Sequence, residues 1–156
     1  MSVRELGDVV VRGADQSDAD ALIETDPVAA GGSDERCASI RRWCGLGLVV
    51  MAENAAGPLG YCVVEYSFFG QGFVSMLMVA QGARRRGVGS RLLEAAVSSC
   101  TTPKLFTSTN VSNQPMQRLL RDAGWSPVGL VHGLDEGDPE LFFLRRREPG
   151  PANPAV

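Results

Sequence analysis

Apolar positions along the chain recur at two periods, and the changes of period divide it into segments. Residues 9–11, three valines followed by Arg12, predict a short first strand. Ser17-Asp18-Ala19-Asp20 predicts a helix start with Ser17 as N-cap and acids in the first turn, and that helix stops near Pro27. Gly31-Gly32 is a flexible break, and the stretch between this helix and the next reads as a loop rich in small residues. Ser33 caps a second helix in which Cys37, Ile40, Trp43 and Cys44 recur at helical spacing. Residues 46–52 and 59–66 read as strands joined into a hairpin by residues 53–58. Residues 68–72 turn the chain again into a strand over 73–80. Its run Met76-Leu77-Met78-Val79 does not alternate with polar residues, so this strand is expected at the centre of the sheet, buried on both faces.

The next helix carries Val88, Leu92, Ala95 and Ala96 on one side and ends near Cys100. Residues 104–109 form another strand. Ser112-Asn113-Gln114-Pro115 is a helix start with proline in the first turn; Met116, Leu119, Leu120 and Ala123 are its apolar face, and Gly124 ends it. Residues 127–132 and 140–145 are two last strands around an acidic loop. The fold class is therefore mixed α/β, of α+β type. It has a central, mostly antiparallel sheet, helices on both faces, and a right-handed β-α-β crossover over residues 73–109. A chain of 156 residues fits a single domain, expected over 1–147, with a proline-bearing tail at 148–156 expected to be disordered.

Between the central strand and the following helix stand Arg84-Arg85-Arg86-Gly87-Val88-Gly89. A helix start has N–H groups without intrahelical partners and a partial positive charge, so a short glycine-bearing loop there suits phosphate. Gly87 and Gly89 let the main chain approach, and the arginines add charge-assisted donors. The same glycines also suit a plain tight turn. The formal net charge of -3 makes the arginine cluster local and argues against nucleic acid as a partner. Cys37, Cys44, Cys62 and Cys100 lack metal-ligand spacing, so no metal is expected and buried free thiols are the reading. Without an apolar signal core or a membrane-spanning run, the protein reads as soluble and cytoplasmic.

Two stretches carry a family resemblance. Residues 79–92, with Arg84, Gly87 and Gly89 in R-x-x-G-x-G spacing, resemble the acetyl-CoA motif of GNAT-superfamily N-acetyltransferases. Thr109-Asn110-Val111-Ser112-Asn113, with the helix after it and Gly124-Trp125, resembles a later stretch of that family. The resemblance implies acetyl-CoA as the acetyl donor. Leu77, Met78 and Val79 would pair with its pantetheine arm, and the N–H near Val79 would polarise the acetyl carbonyl. Backbone groups of Arg85, Arg86, Gly87, Val88, Gly89 and Ser90 would hold the pyrophosphate, with arginine side chains from Arg84 onward outside. Asn113 would contact the coenzyme near its thioester, or serve only as a helix cap. The activity implied is direct transfer to a primary amine of a small molecule or peptide, and relatives often form homodimers. The alternative is a non-catalytic acyl-CoA-binding regulatory module.

That alternative is motivated by two departures from the family pattern. Leu120 stands where many relatives carry a tyrosine acid, and Ser75 where many carry a glutamate. Proton transfer then goes through water or through a residue elsewhere. His132, the single histidine, has a side chain suited to a base near neutrality, or is a surface histidine. Glu65 and Tyr66 face the cleft or are half-buried strand residues. Tyr61 reads as packed in the sheet. Asp135, Glu136, Asp138 and Glu140 give an acidic rim that would draw a cationic amine, or a solvated turn. Phe68 and Phe69, at a turn, line the acceptor pocket or plug the core beneath it.

Overall fold

A computed structural model describes residues 6–147. The expected tail at 148–156 and the first five residues lie outside them. Seven strands form one sheet in the order β1-β2-β3-β4-β5-β7-β6: β1 Val10–Gly13, β2 Val49–Asn54, β3 Gly57–Phe68, β4 Gln71–Val79, β5 Lys104–Asn110, β6 Ser126–Val131 and β7 Glu140–Arg146. Five helices accompany it: α1 Ala19–Thr25, α2 Pro27–Ala30, α3 Asp34–Gly45, α4 Val88–Ser99 and α5 Gln114–Asp122. The mixed α+β class expected from the sequence is the one observed, with β4 in the middle of the sheet. The described residues divide into two compact units, 6–64 with 76–96 and 65–75 with 97–147.

In the first unit, β1 pairs antiparallel with β2, and β2 with β3. Arg12 ties this edge together, its guanidinium donating to Asp18 at 2.8 Å and to Glu53 at 2.7 Å. Leu22, Ile40, Trp43, Met51, Tyr61, Val63 and Met78 form the core beneath α1–α3. Several expected boundaries move. Asp15, not Ser17, is the N-cap: its carboxylate accepts from Ser17 N at 2.8 Å, and Asp18 accepts from Asp15 N at 2.9 Å, a reciprocal capping box around a 3-10 turn that leads into α1. Leu46 is not a strand residue but the exposed C-cap of α3, because Gly47 at φ 70 turns the chain before β2 begins. Within Met76–Val79 only Met78 is buried. The run is apolar, but one face alone reaches full burial.

The stretch after Thr25, expected to be loop, forms α2. Asp26 explains it. Proline at the first helical position needs no N–H partner, and Asp26 Oδ1 accepts from Val28 N at 2.9 Å and Ala29 N at 3.4 Å. This carboxylate is wholly buried. Its other oxygen accepts from the Tyr61 hydroxyl at 2.6 Å and from Arg36 Nη1 at 2.9 Å. Tyr61 does pack in the sheet, as expected, but its hydroxyl carries this contact.

In the second unit β4 and β5 pair in parallel through Gly72–Leu105, Phe73–Phe106 and Val74–Thr107. β7 lies between β5 and β6, antiparallel to both. The β5 side chains alternate, with Leu105, Thr107 and Thr109 buried. α5 starts as expected: Asn113 is its N-cap, accepting from Met116 N at 3.2 Å, and Gly124 at φ 85 follows its last turn. β6 ends at Val131, so His132 lies beyond the strand that was expected to include it.

Burial pulls the Asp26 pKa up, but the hydrogen bonds from Tyr61, Arg36, Val28 and Ala29 outweigh it, and the net direction is down. A depressed carboxylate stabilises the fold above its unfolded pKa of about 4, and that stabilisation is lost as pH falls through the folded value. Asp26→Asn should therefore destabilise the protein by about 3 kcal/mol near neutral pH and flatten the acid side of its stability profile. Denaturant unfolding across a pH series measures both.

Candidate functional site: the turn between β4 and α4

β4 ends at Val79, and Ala80 N reaches back to Leu59 O on β3 at 2.8 Å. Gly60 lets these strands meet. A Cβ there would lie 2.4 Å from Met78 O and 3.1 Å from Val79 Cα, so no larger residue fits without moving the end of β4. A 3-10 turn over Gln81–Ala83 follows, anchored by buried Ala83. Arg84 then folds back, its Nε donating to Val79 O at 3.2 Å. The arginine expected to stand outside the pocket thus also fixes the end of the strand.

The following three residues change the character of the loop. Arg85 has φ 61 and Gly87 has φ 80. Two left-handed residues separated by one make a concave run of main-chain N–H groups, a shape that receives anions. Arg91 N donates to Gly87 O at 3.1 Å, the bond that begins the ladder of α4. The N–H groups of Val88, Gly89 and Ser90 precede that ladder and are left open by helix geometry. Val88 is buried and anchors the helix start, whereas Arg84, Arg85, Arg86 and Gly87 are exposed. A Cβ on Gly87 would meet nothing within 4 Å, so space for a ligand lies directly over the turn. Left-handed main chain, an open helix N-terminus and three arginines fit a pyrophosphate. The sequence showed the glycines and arginines. It gave no sign that Arg85, a non-glycine residue, takes the strained conformation.

The remaining expected site residues belong to the second unit. Asn113 Oδ1 is committed to the α5 cap, which leaves its Nδ2 as the donor able to meet a ligand. Glu65 and Tyr66 are half-buried at the end of β3, and the Tyr66 hydroxyl accepts from Thr101 N at 3.2 Å. His132, Asp135 and Glu136 are exposed and line a shallow hollow of about 410 Å³ with Asp138 and Pro139. The acidic loop is no free turn. Asn110 Nδ2 donates to Asp135 Oδ2 at 2.8 Å, and Asp138 takes the N–H and hydroxyl of Ser112 at 3.0 and 2.5 Å. Asp135 therefore pins the loop to the end of β5 and Asp138 pins it to the turn before α5, while Glu136 is exposed. Phe68 and Phe69 pack edge to face at 5.1 Å; Phe68 is half-buried and Phe69 is 89% exposed. Leu120 is wholly buried, and Ser75 Oγ is buried with no partner among the described residues. Among those residues there is no cluster of His, Cys, Asp and Glu able to hold a metal ion, and no helix long and apolar enough to cross a membrane. All four cysteines are free; burial pushes the Cys62 thiol up to about 12, which makes it an inert packing group.

The family model of the acetyltransferase (GNAT) family matches residues 18–125. A GNAT-family acetyltransferase from Bacillus cereus ATCC 10987 is 33% identical, with a TM-score of 0.84 over 90% of this chain and 99% of that one. The fold is shared at lower identity with yncA of Salmonella typhimurium, solved with its cofactor acetyl-CoA (20% identity, TM-score 0.73, 96% and 100% of the two chains). It is shared too with the diaminobutyrate acetyltransferase EctA of Paenibacillus lautus, solved with L-2,4-diaminobutyric acid and coenzyme A (16% identity, TM-score 0.70, 90% and 95%). None of the curated proteins is similar enough in sequence to match the chain. The chain belongs to the GNAT acetyltransferase family, and acetyl-CoA is its co-substrate.

Gly87→Glu should abolish acetyl-CoA binding, weakening it at least a hundredfold, about 2.7 kcal/mol, because it sets a carboxylate and a strained left-handed residue in the turn that fits a pyrophosphate. Calorimetric titration measures the loss, and circular dichroism checks that the fold survives.

Proposed function

We infer that this protein transfers the acetyl group of acetyl-CoA to a primary amine of a small molecule or a peptide, with residues 1–147 acting as one acetyltransferase domain. The observation that carries the reading is the left-handed pair Arg85 and Gly87 in front of the open start of α4. The main-chain N–H groups of Arg85 through Ser90 hold the pyrophosphate, and Arg84, Arg85 and Arg86 border it. The main chain of Leu77, Met78 and Val79 carries the pantetheine arm as an added strand would. The Nδ2 of Asn113 meets the coenzyme near its thioester. When bound, the coenzyme supplies an activated acyl group; the protein's task is to place an amine against it.

The amine reading draws on chemistry and on two neighbours of the same fold. EctA is named for a diamino acid, and a Brucella melitensis neighbour is named as a ribosomal-protein-alanine N-acetyltransferase. An amine arrives as a cation, and the solvent-facing charge of Glu136, beside Asp135, attracts it. It must then lose a proton before it can attack. Exposed His132, on the rim with those carboxylates, is the residue we assign to accept that proton, directly or through water. Glu65, half-buried, is the second candidate. Tyr66, whose hydroxyl accepts from Thr101 N and keeps its own proton, is the third candidate. Ser75 Oγ, buried and unpartnered, suits a water-borne proton path on β4. Orientation of both substrates contributes most of the acceleration, on the order of 7 kcal/mol in favourable cases.

Thiol release from acetyl-CoA, followed with a panel of primary amines, tests the reading. Release with at least one amine is expected, with a rate that rises with pH as the amine deprotonates. Coenzyme binding without release for every amine points instead to the non-catalytic acyl-CoA-binding module. His132→Ala should lower turnover by about a hundredfold or more; full retained turnover removes His132 from the role.

A further inference from the structure

In the first unit one ion pair has a buried end and an open end. The Asp26 carboxylate is wholly buried, whereas the Arg36 side chain bonded to it is 24% exposed. Solvent therefore reaches the cation of the pair. Asp26 has three other donors, the N–H groups of Val28 and Ala29 and the Tyr61 hydroxyl, and takes a single bond from Arg36, through Nη1 at 2.9 Å. A guanidinium carries five N–H donors in one plane. Among the described residues, Nε and Nη2 of Arg36 have no hydrogen-bond acceptor.

The position of Arg36 is electrostatically odd. It lies in the first turn of α3, where Ser33 Oγ accepts its main-chain N–H at 3.2 Å. A cation there sits at the unfavourable end of the helix dipole, and the two positive potentials add. Asp34 and Glu35, exposed beside it, are not its acceptors. The guanidinium turns to the sheet instead, and Nη1 stands 3.9 Å from Met76 Sδ on β4. β4 pairs with β5 through Gly72, Phe73 and Val74. Met76 comes after that pairing and directly before Leu77–Val79, whose main chain carries the pantetheine arm in the reading above. At about 3.3 Å per residue, Met76 lies within about 10 Å of Val79 along the strand. An amine that attacks an acetyl group beside Val79 thus has the rest of its molecule within reach of Arg36.

We propose that Arg36 binds a carboxylate of the acceptor, so that the acceptor is a free amino acid rather than a simple amine or a polyamine. The inference rests on the acetyl-transfer reading of β4. Nε and Nη2 share one edge of the guanidinium plane and match the two oxygens of a carboxylate. Asp26 is a positioning residue: it holds Nη1 from the buried side and leaves that edge for the ligand. Because Asp26 is also satisfied by Tyr61 and by the start of α2, Arg36 is not its sole support.

Calorimetric titration of the coenzyme A-saturated protein with L-alanine, L-leucine and 4-aminobutyrate, and with the carboxamide of each, tests the proposal. Each carboxamide matches its acid in size and lacks only the charge. At least one acid should bind about tenfold or more tighter than its carboxamide, and should move the Arg36 Nε–H signal of the labelled protein. Arg36→Lys keeps the charge beside Asp26 but loses the fork, and should bring acid and amide close together. Asp26→Asn should narrow the same ratio, a change of selectivity that lost stability alone does not produce. The double variant Asp26→Asn with Arg36→Gln leaves no lone buried charge and should show no preference. Acids and amides that bind alike overturn the proposal. So does a panel in which no acid moves the Arg36 signal, or a preference that survives in all three variants. Thiol release from acetyl-CoA with the same compounds separates the two readings. Release without preference for acids removes the role of Arg36 and leaves acetyl transfer standing. Tight binding of acids at Arg36 without release from any amine leaves the carboxylate site and overturns the transfer.

Discussion

Backbone conformation at three consecutive residues makes the β4–α4 turn the candidate anion site of this protein. Arg85 and Gly87 both turn left-handed, and α4 opens immediately afterward. Without that geometry the exposed arginines would be a solvated charge cluster of little selectivity. With it, donors converge on one point in front of a helix start, and the charge of Arg84–Arg86 adds to a site already built from main chain. Much of the surrounding structure holds this turn still. Gly60 lets β3 and β4 approach closely, Arg84 clasps Val79 O, and buried Ala83 and Val88 fix the two ends of the loop. The energetic cost of a non-glycine left-handed residue, on the order of 1 kcal/mol or more, is tolerated because those anchors over-determine the conformation.

The helical side of the first unit depends on a different constraint, the burial of one carboxylate. Asp26 accepts four hydrogen bonds, two from the start of α2 and two from the side chains of Tyr61 and Arg36. Removal of any partner would leave a buried charge under-satisfied. A strand, the α1–α2 boundary and α3 are thereby held to one geometry. Arg36 Nη1 also lies 3.9 Å from Met76 Sδ, so the network reaches the central strand itself.

The sequence made the order of the strands and longer helices, the central strand and the glycine-arginine turn before α4 legible. Those features rest on local signals: period changes, the Ser33 and Asn113 caps, Gly124 after α5, and glycines beside arginines. What escaped it depends on distant partners or on backbone angles. Asp26 looked like part of a small-residue loop because Tyr61 and Arg36, which make it a buried organiser, are far along the chain. Asp138 looked like a turn former, whereas Ser112 recruits it as a tether. The apolar run Met76–Val79 was expected to be buried on both faces, yet composition alone does not say whether a second layer covers a strand. Arg85 at positive φ follows no residue preference at all. Membership of the acetyltransferase family, by contrast, was legible from two short motifs in the right order.

The most direct test of the central claim is an amide-resolved titration of the labelled protein with acetyl-CoA. The backbone amide signals of Arg85 through Ser90 should show the largest shifts, saturating together at a single affinity. Saturable shifts concentrated elsewhere, with those amides unmoved, would contradict the assignment of the β4–α4 turn as the pyrophosphate site.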